Sequence, residues 1–372
     1  MNAPAIPITN GRIPCLDGMR AISILAVIYA HAIRTQGFPA FPGMNALGDL
    51  GNLGVRVFFV ISGFLITYLL LKESDRYGRI SLKDFYRRRI IRIFPAFYGY
   101  LLVVAILALA GFIAMEWADF GYAAVYLINF VEKKSWAVAH LWSLSVEEQF
   151  YLLWPTLIAL LGWRRSVWLA VGTVLAAPLL RIAWWYLLSE HQHLATKAFP
   201  TVCDAIATGC VLACLRDMLT ASKLYGRFAS SLGFLLVPAA ILISNVLAFH
   251  TRPDYLVGQT VRNVGIALCL DWCLRYPKSR VGILLNLRPV VWLGTLSYSF
   301  YLWQQLFLDR HSNEIWCRFP FNIGFAFLAA LTSFYLIERP FLKLRSKRPM
   351  KSGNRVGGGA SRGIREGTRA ES

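Results

Sequence analysis

The sequence has 372 residues, of which 56% are hydrophobic and only 16% are charged. Soluble globular proteins carry about a quarter charged residues, so this composition excludes an ordinary soluble enzyme. The formal net charge is +19, but the basic residues gather in short loops between apolar blocks and in the C-terminal segment. That distribution is typical of the cytoplasmic loops of membrane proteins and argues against nucleic-acid binding.

The apolar blocks predict an all-α fold, a polytopic transmembrane helical bundle. Blocks of roughly 17–25 residues are long enough to cross the hydrocarbon core of a bilayer. Placing all the basic stretches on the cytoplasmic side requires about ten spans, with both termini cytoplasmic. The predicted spans lie near residues 19–36, 52–71, 93–114, 139–161, 166–188, 199–215, 228–249, 259–274, 286–308 and 321–338.

The predicted membrane domain covers residues 12–345, and the Gly-, Ser- and Arg-rich residues 346–372 are predicted to form a disordered cytoplasmic tail. The apolar segment Tyr122 to Phe130 is too short to span, so we expect an interfacial or re-entrant piece that packs near the fourth span. The seven cysteines lie mostly within predicted helices and have no histidine cluster nearby. We therefore expect neither a disulfide framework nor a metal site.

The first span places two functional-looking side chains on one helix face. Arg20 and His31 are eleven residues apart, so they differ in direction by about 20° and in height by about 16 Å. Asp17 lies one turn before Arg20 and can pair with it. A neutral imidazole in a dry site is a usable general base or nucleophile. The alternative is a packing histidine that is hydrogen-bonded to a neighbouring carbonyl.

The start of the third span is strongly basic and contains Arg88, Arg89 and Arg92. Arg89 and Arg92 are three residues apart and share a helix face. Guanidinium groups suit phosphate ligands because their N–H donors match phosphate oxygens. The alternative is that these arginines only anchor the helix end at the membrane interface.

Two adjacent carboxylates, Glu147 and Glu148, interrupt the fourth span. They point about 100° apart on a helix, so at least one must face the bundle interior. There it could act as an acid, as a base or as a partner that orients a histidine. The alternative is a structural salt bridge, for instance to Arg181. Four other polar residues within the spans could line the same cavity, but each alone is more typical of a helix–helix contact: Asp204, Asp271, Gln304 and Gln305.

Six segments, in chain order, resemble the acyltransferase-3 family of membrane O-acyltransferases. They are LDGMRAISILAVIYAH, GVRVFFVISGFLIT, RRRIIRIFPAFY, LWSLSVEEQFYLLWP, LSYSFYLWQQLF and IERPF. The resemblance covers the whole predicted membrane domain. It implies that His31 is the catalytic histidine and that Arg20 is its motif partner.

The resemblance also carries over to the charged segments. It implies that Arg89 and Arg92, with Arg88 beside them, engage the phosphates of coenzyme A. Glu147 and Glu148 match a further family motif and join the predicted catalytic group. This chain departs from the family at Gln304, where many relatives have histidine, and no role is carried over to that position.

The implied activity is transfer of an acyl group, by default acetyl, from cytoplasmic acyl-CoA to a hydroxyl of a cell-surface glycan or glycolipid. The expected partners are acyl-CoA as donor substrate, the acceptor and membrane lipids; no permanently bound cofactor is expected. The expected location is a bacterial inner membrane. Two other classes stay open: a transporter or flippase whose intramembrane charges line a solute path, and a scaffold in which those charges are structural.

Overall fold

A computed structural model describes residues 12–39, 43, 49–249 and 251–346. Within these residues every regular element is helical and no β-strand occurs, which confirms the all-α prediction. Residues 347–372 of the predicted tail lie outside the described part of the chain. The disordered tail and the domain boundary at residue 345 therefore stay predictions.

The α-helices are numbered here in chain order. The first half of the chain contains α1 (Leu16–Ala32), α2 (Leu50–Tyr77), α3 (Leu82–Leu109), α4 (Trp117–Ala124), α5 (Trp136–Ala139), α6 (Trp142–Leu161) and α7 (Trp163–Leu187). The second half contains α8 (Phe199–Val202), α9 (Asp204–Ala221), α10 (Lys223–Ser230), α11 (Leu236–Val246), α12 (Thr251–Pro253), α13 (Gln259–Arg275), α14 (Arg280–Leu285), α15 (Arg288–Phe307), α16 (Phe321–Ser333) and α17 (Arg339–Ser346). Short 3₁₀ or π segments occupy Ile128–Phe130, Ser189–Thr196, Leu232–Leu235, Leu247–Phe249, Asp254–Gly258, Ile315–Cys317 and Phe334–Glu338.

Several helices are suited to a membrane. Among the described residues, four helices are long and apolar enough to cross one, namely α2, α3, α7 and the continuous helix Phe321–Leu344. Helices α9 and α10 bend by 94° at their junction and give a fifth if they form one span. Helices also occupy the other predicted positions, but α1 has only 17 residues and α13 contains buried Arg262 and Asp271. The chain is therefore a membrane protein, and the number of about ten spans stays a prediction.

Helix α1 packs against both α2 and α15, because glycines of those two helices face its backbone. A Cβ atom on Gly54 of α2 would lie 2.6 Å from the backbone oxygen of Ser23, and one on Gly294 of α15 would overlap the backbone oxygen of Asp17. Small residues allow neighbouring membrane helices to approach this closely. The packing fixes α1, and with it Arg20 and His31, between two other helices.

Helices α2 and α9 make a second close contact. A Cβ atom on Gly63 would overlap the backbone oxygen of Ile206, and one on Gly209 would overlap the backbone oxygen of Val60. Each glycine therefore fits against the backbone of the opposite helix. This contact holds α2 firmly, and α2 forms a wall of the candidate site.

A buried polar network joins α2, α7, α9 and α13. Arg181 forms an ion pair with Asp204, in which Nη1 lies 3.0 Å from Oδ2 and both side chains are fully buried. Arg181 also donates to Gln259 at 2.8 Å, and Arg56 donates to Gln259 and to Asn263. The suggested partnership of Arg181 with a glutamate of the fourth span is therefore wrong. The arginine instead balances the buried charge of Asp204.

The short segment after α4 packs against α6, beside the fourth predicted span as expected. The Gln149 amide donates to the backbone oxygen of Tyr126 at 2.7 Å and to Asn129 Oδ1 at 2.9 Å. Because this segment lies against α6, it braces the helix that carries Glu147 and Glu148.

Candidate active site

Five of the predicted site residues line one cavity, which we call the arginine–glutamate cavity. The cavity has about 790 Å³ of empty space, a volume that includes its open mouth. It is lined by Arg20 of α1, by Arg89 and Arg92 of α3, and by Glu147 and Glu148 of α6. The i, i+3 spacing of the arginines and the adjacency of the glutamates direct four charged groups to the same place.

Arg89 holds the central position among these charges. It interacts electrostatically with both Glu147 and Glu148. Its guanidinium carbon also lies 4.3 Å from the ring centroid of Tyr151, and the Tyr151 hydroxyl is hydrogen-bonded to Ser62. Stacking on an aromatic face keeps a guanidinium in one orientation. Arg89 is thus placed to present its N–H groups to an anion in the cavity.

A wider space adjoins the arginine–glutamate cavity, and we call it the Glu338 cavity. It has about 1320 Å³ of empty space including its mouth, and Arg20, Arg92 and Tyr298 line both cavities. Asp17 pairs with Arg20 at 3.3 Å, as the sequence spacing indicates. The two spaces therefore adjoin at the residues that line both.

Arg88 is not part of the arginine–glutamate cavity. Its guanidinium pairs with Glu73 at 2.9 Å, and it lines a smaller neighbouring cavity together with Arg89 and Arg92. The three clustered arginines therefore divide: two reach the main cavity, and the third lies beside it.

His31 lines a different space, the histidine cavity, with about 1070 Å³ of empty space including its mouth. Its Nδ1 lies 2.7 Å from Oε1 of Gln304, and Gln304 is fully buried. An amide oxygen can only accept a hydrogen bond, so Nδ1 carries the proton and Nε2 keeps its lone pair. This is the tautomer that a general base or a nucleophile requires.

A thin wall separates the histidine cavity from the arginine–glutamate cavity. Val55 lines both of them. Next to it, Phe59 on one side packs edge to face against Trp142 on the other, with ring centroids 6.1 Å apart. The sequence suggests one shared face for Arg20 and His31. In the structure, α1 carries these two residues into separate, adjoining cavities.

His140 is a candidate that sequence reasoning missed. It lines the histidine cavity, and its side chain is only 4% exposed. Its Nε2 lies 3.1 Å from the backbone oxygen of Leu302, so Nε2 donates. Its Nδ1 is buried and has no hydrogen-bond partner in the described part of the chain. The signal in the sequence is its position at the start of the segment that carries the two glutamates.

The weaker polar candidates fall into two groups. Asp271 accepts hydrogen bonds from Arg216 and from the Tyr225 hydroxyl, each at 3.0 Å. Like Asp204, it is a helix–helix contact, in agreement with the interpretation favoured by the sequence. Gln305 instead lines the histidine cavity and donates to the backbone oxygen of Trp136 at 3.0 Å.

Comparison with known proteins gives a consistent family match. The family model acyltransferase-3, described as an acyltransferase domain, matches residues 13–344. The peptidoglycan O-acetyltransferase OatA of Listeria monocytogenes is 27% identical over 367 residues, which cover 89% of this chain and 56% of the relative. A Staphylococcus aureus protein, named as an O-acetyltransferase by inference, is 29% identical over 361 residues, or 89% of this chain and 57% of that protein. The chain thus spans about half the length of the curated relatives that it matches. No solved structure matches it significantly.

Proposed function

Because the chain belongs to the acyltransferase-3 family, we propose that it is a membrane O-acyltransferase that moves an acetyl group from acetyl-CoA to a glycan or glycolipid hydroxyl. The relatives described above are named as O-acetyltransferases, in one case as a peptidoglycan O-acetyltransferase, and these names support both the acyl group and the acceptor class. We further propose about ten spans in a bacterial inner membrane, with both termini and the donor on the cytoplasmic side. The clustering of basic residues in short loops supports this orientation.

The arginine–glutamate cavity and the adjoining Glu338 cavity are the proposed donor site. Arg20, Arg89 and Arg92 supply guanidinium groups for the phosphates of coenzyme A. Glu147 and Glu148 partly balance the positive charge of Arg89 through space. The long pantetheine arm then carries the thioester along the cavity towards Val55.

His31 is the proposed catalytic residue on the other side of the wall at Val55. Its Nε2 takes the proton of the acceptor hydroxyl, and the hydroxyl oxygen attacks the carbonyl carbon of the thioester. The carbon–sulfur bond breaks, and coenzyme A leaves as a thiolate that is then protonated. In a second route, Nε2 takes the acyl group first and passes it to the acceptor. Labelling of the protein by acetyl-CoA without acceptor distinguishes the two routes.

The observation that carries this proposal is the succession of cavities. Arginines line one end, His31 with its oriented imidazole lines the other, and Val55 belongs to both. A solute path would need only a continuous polar route, whereas this arrangement places an anion site and a base on opposite sides of a thin apolar wall. In the proposed reaction, the thioester approaches this wall from the side of the arginines and the acceptor hydroxyl approaches it from the side of His31.

The test uses the full-length protein in lipid nanodiscs with radiolabelled acetyl-CoA and a glycan acceptor. Wild type should form alkali-labile, ester-linked label, and His31→Ala should lower transfer at least about a hundredfold, as expected for loss of a general base, while coenzyme A binding persists. Val55→Phe should also block transfer without weakening coenzyme A binding. Val264→Phe is the matched control because Val264 is 41% exposed on the outside of α13. Transfer by His31→Ala at the wild-type rate would refute the assignment.

A further inference from the structure

The mouth of the histidine cavity is strongly cationic. Arg34, Lys197 and Arg310 line this cavity, and no Asp or Glu is among the described residues that line it. None of the three forms an ion pair with a carboxylate within the described part of the chain. All three lie in loops at the end of the bundle that carries His31.

These cations also disfavour one another's charge. Burial, followed by the proximity of Arg34, lowers the pKa of Arg310, and burial lowers the pKa of Lys197. Lys134 lies close by, and burial together with the charge of Lys197 lowers its pKa to about 8. Cations that crowd in this way are stabilised when an anion binds among them.

The nearest acids are engaged elsewhere. Glu132 pairs with His191 at 3.0 Å, Asp119 accepts from the backbone N–H of Ser135 at 2.6 Å, and Asp309 accepts from the backbone N–H of His311 at 2.8 Å. Asp309 also favours the charged form of Arg310. These carboxylates reduce the positive potential of the surrounding loops but do not line the cavity.

The cavity also has features that suit a sugar. Trp136 is held by a hydrogen bond from its Nε1 to the backbone oxygen of Gln305 at 2.8 Å, and Arg310 lies over its ring at 4.7 Å. Trp142 and the amide side chains of Asn52 and Gln305 complete the lining. Aromatic walls with a few convergent polar groups are typical of sites that take a small organic ligand.

We propose that the histidine cavity selects an anionic glycan, whose carboxylate or phosphate lies against Arg34, Lys197 and Arg310 while its acceptor hydroxyl reaches His31. This inference rests on the proposed function, because it assigns the charge of the acceptor for that same reaction.

The test measures binding separately from transfer. Its probe is a tetrasaccharide of alternating N-acetylglucosamine and N-acetylmuramate with free lactyl carboxylates, compared with the same molecule after conversion of the carboxylates to amides. A phosphorylated N-acetylglucosamine tetrasaccharide distinguishes phosphate from carboxylate. Equilibrium dialysis is run on the His31→Ala protein, in which transfer is blocked, so that the dissociation constant reports the cavity alone. Nanodiscs with and without anionic lipid separate glycan recognition from headgroup binding.

We expect the charged glycan to bind at least about tenfold more tightly than the amidated one, the affinity change that corresponds to one charge-assisted contact. Arg34→Gln and Lys197→Gln should each weaken binding of the charged probe about tenfold and leave the affinity for the amidated probe unchanged. Lys133→Gln is the matched control, since Lys133 is exposed and does not line the cavity. Arg310 is left intact because it packs on Trp136.

Equal affinity for the charged and amidated glycans would overturn the inference. It would also be overturned if Arg34→Gln and Lys197→Gln changed the affinity only in nanodiscs that contain anionic lipid. Selective binding without His31-dependent transfer would refute the proposed function and leave the charge preference standing. If transfer depends on His31 but the charged and neutral glycans bind with equal affinity, the proposed function stands and the charge preference is refuted.

Discussion

The hydrogen bond between His31 and Gln304 allows a direct test of the catalytic assignment. Gln304→Ala removes the acceptor 2.7 Å from His31 Nδ1. Gln304 is fully buried, so the Nδ1–H group loses its partner where water has little access. A buried donor without a partner costs about 2 kcal/mol. If the tautomer with the proton on Nδ1 is destabilised by this free energy, kcat falls about thirtyfold.

The assay is acetyl transfer by the full-length protein in nanodiscs at saturating donor and acceptor. We expect Gln304→Ala to lower kcat by that factor and to leave the KM for acetyl-CoA unchanged, because Gln304 packs against the histidine cavity and not against the arginines. Gln304→Glu keeps an oxygen acceptor at the same position and should retain kcat, since a carboxylate also holds this tautomer. The matched control is Gln149→Ala, which removes a half-buried, hydrogen-bonded amide from α6 without touching His31.

Equal kcat for Gln304→Ala and wild type, with His31→Ala inactive, would refute this reasoning. It would mean that the hydrogen bond to Gln304 packs the helices together and does not select the tautomer of His31. Loss of kcat in Gln149→Ala to the same extent would show instead that the assay responds to general damage of the fold.

Three further predictions test the donor site and the fold. Arg89→Gln should raise the KM for acetyl-CoA about tenfold, whereas Arg87→Gln on the exposed side of the same helix should not. Arg181→Met leaves Asp204 buried and unpaired, and should lower the free energy of unfolding by about 3–5 kcal/mol, measured by denaturation in detergent. Gly63→Ala forces α2 away from α9 and should cost about 1–3 kcal/mol in the same assay. Gly172→Ala, which meets open space, should be neutral or stabilising by up to about 1 kcal/mol.

Local spacing explains which parts of the site could be predicted. Arg89 and Arg92 reach the same cavity because they are three residues apart on one helix. Glu147 and Glu148 both line that cavity, although adjacency guarantees an inward direction for only one of them. The Asp17–Arg20 pair follows in the same way from the helical repeat. In each case the contact depends on one helix, and its geometry is contained in the sequence.

Contacts between distant segments were not predictable in this way. The partner of His31 is Gln304, 273 positions away, and the partner of Asp204 is Arg181 from another helix. Nothing in the periodicity of one helix specifies which polar residue of another will lie opposite. The wall is likewise produced by residues of two other helices, Val55 and Phe59 of α2 and Trp142 of α6, so the separation of Arg20 from His31 into two cavities could not be read from α1 alone.

Helix α1 also explains why the two cavities stay in register. Eleven residues separate Arg20 from His31, which sets their height difference at about 16 Å on a rigid helix. Gly54 and Gly294 allow that helix to pack closely against α2 and α15. This packing fixes the position of α1 relative to both neighbouring helices. In the proposed mechanism, the phosphate-binding end and the transferring end are therefore fixed to one helix, and the flexible part of the reaction is the donor's pantetheine arm. The proposed mechanism thus brings the thioester to a stationary base, and it predicts that acceptor selectivity depends on the residues around His31 and not on those around Arg20.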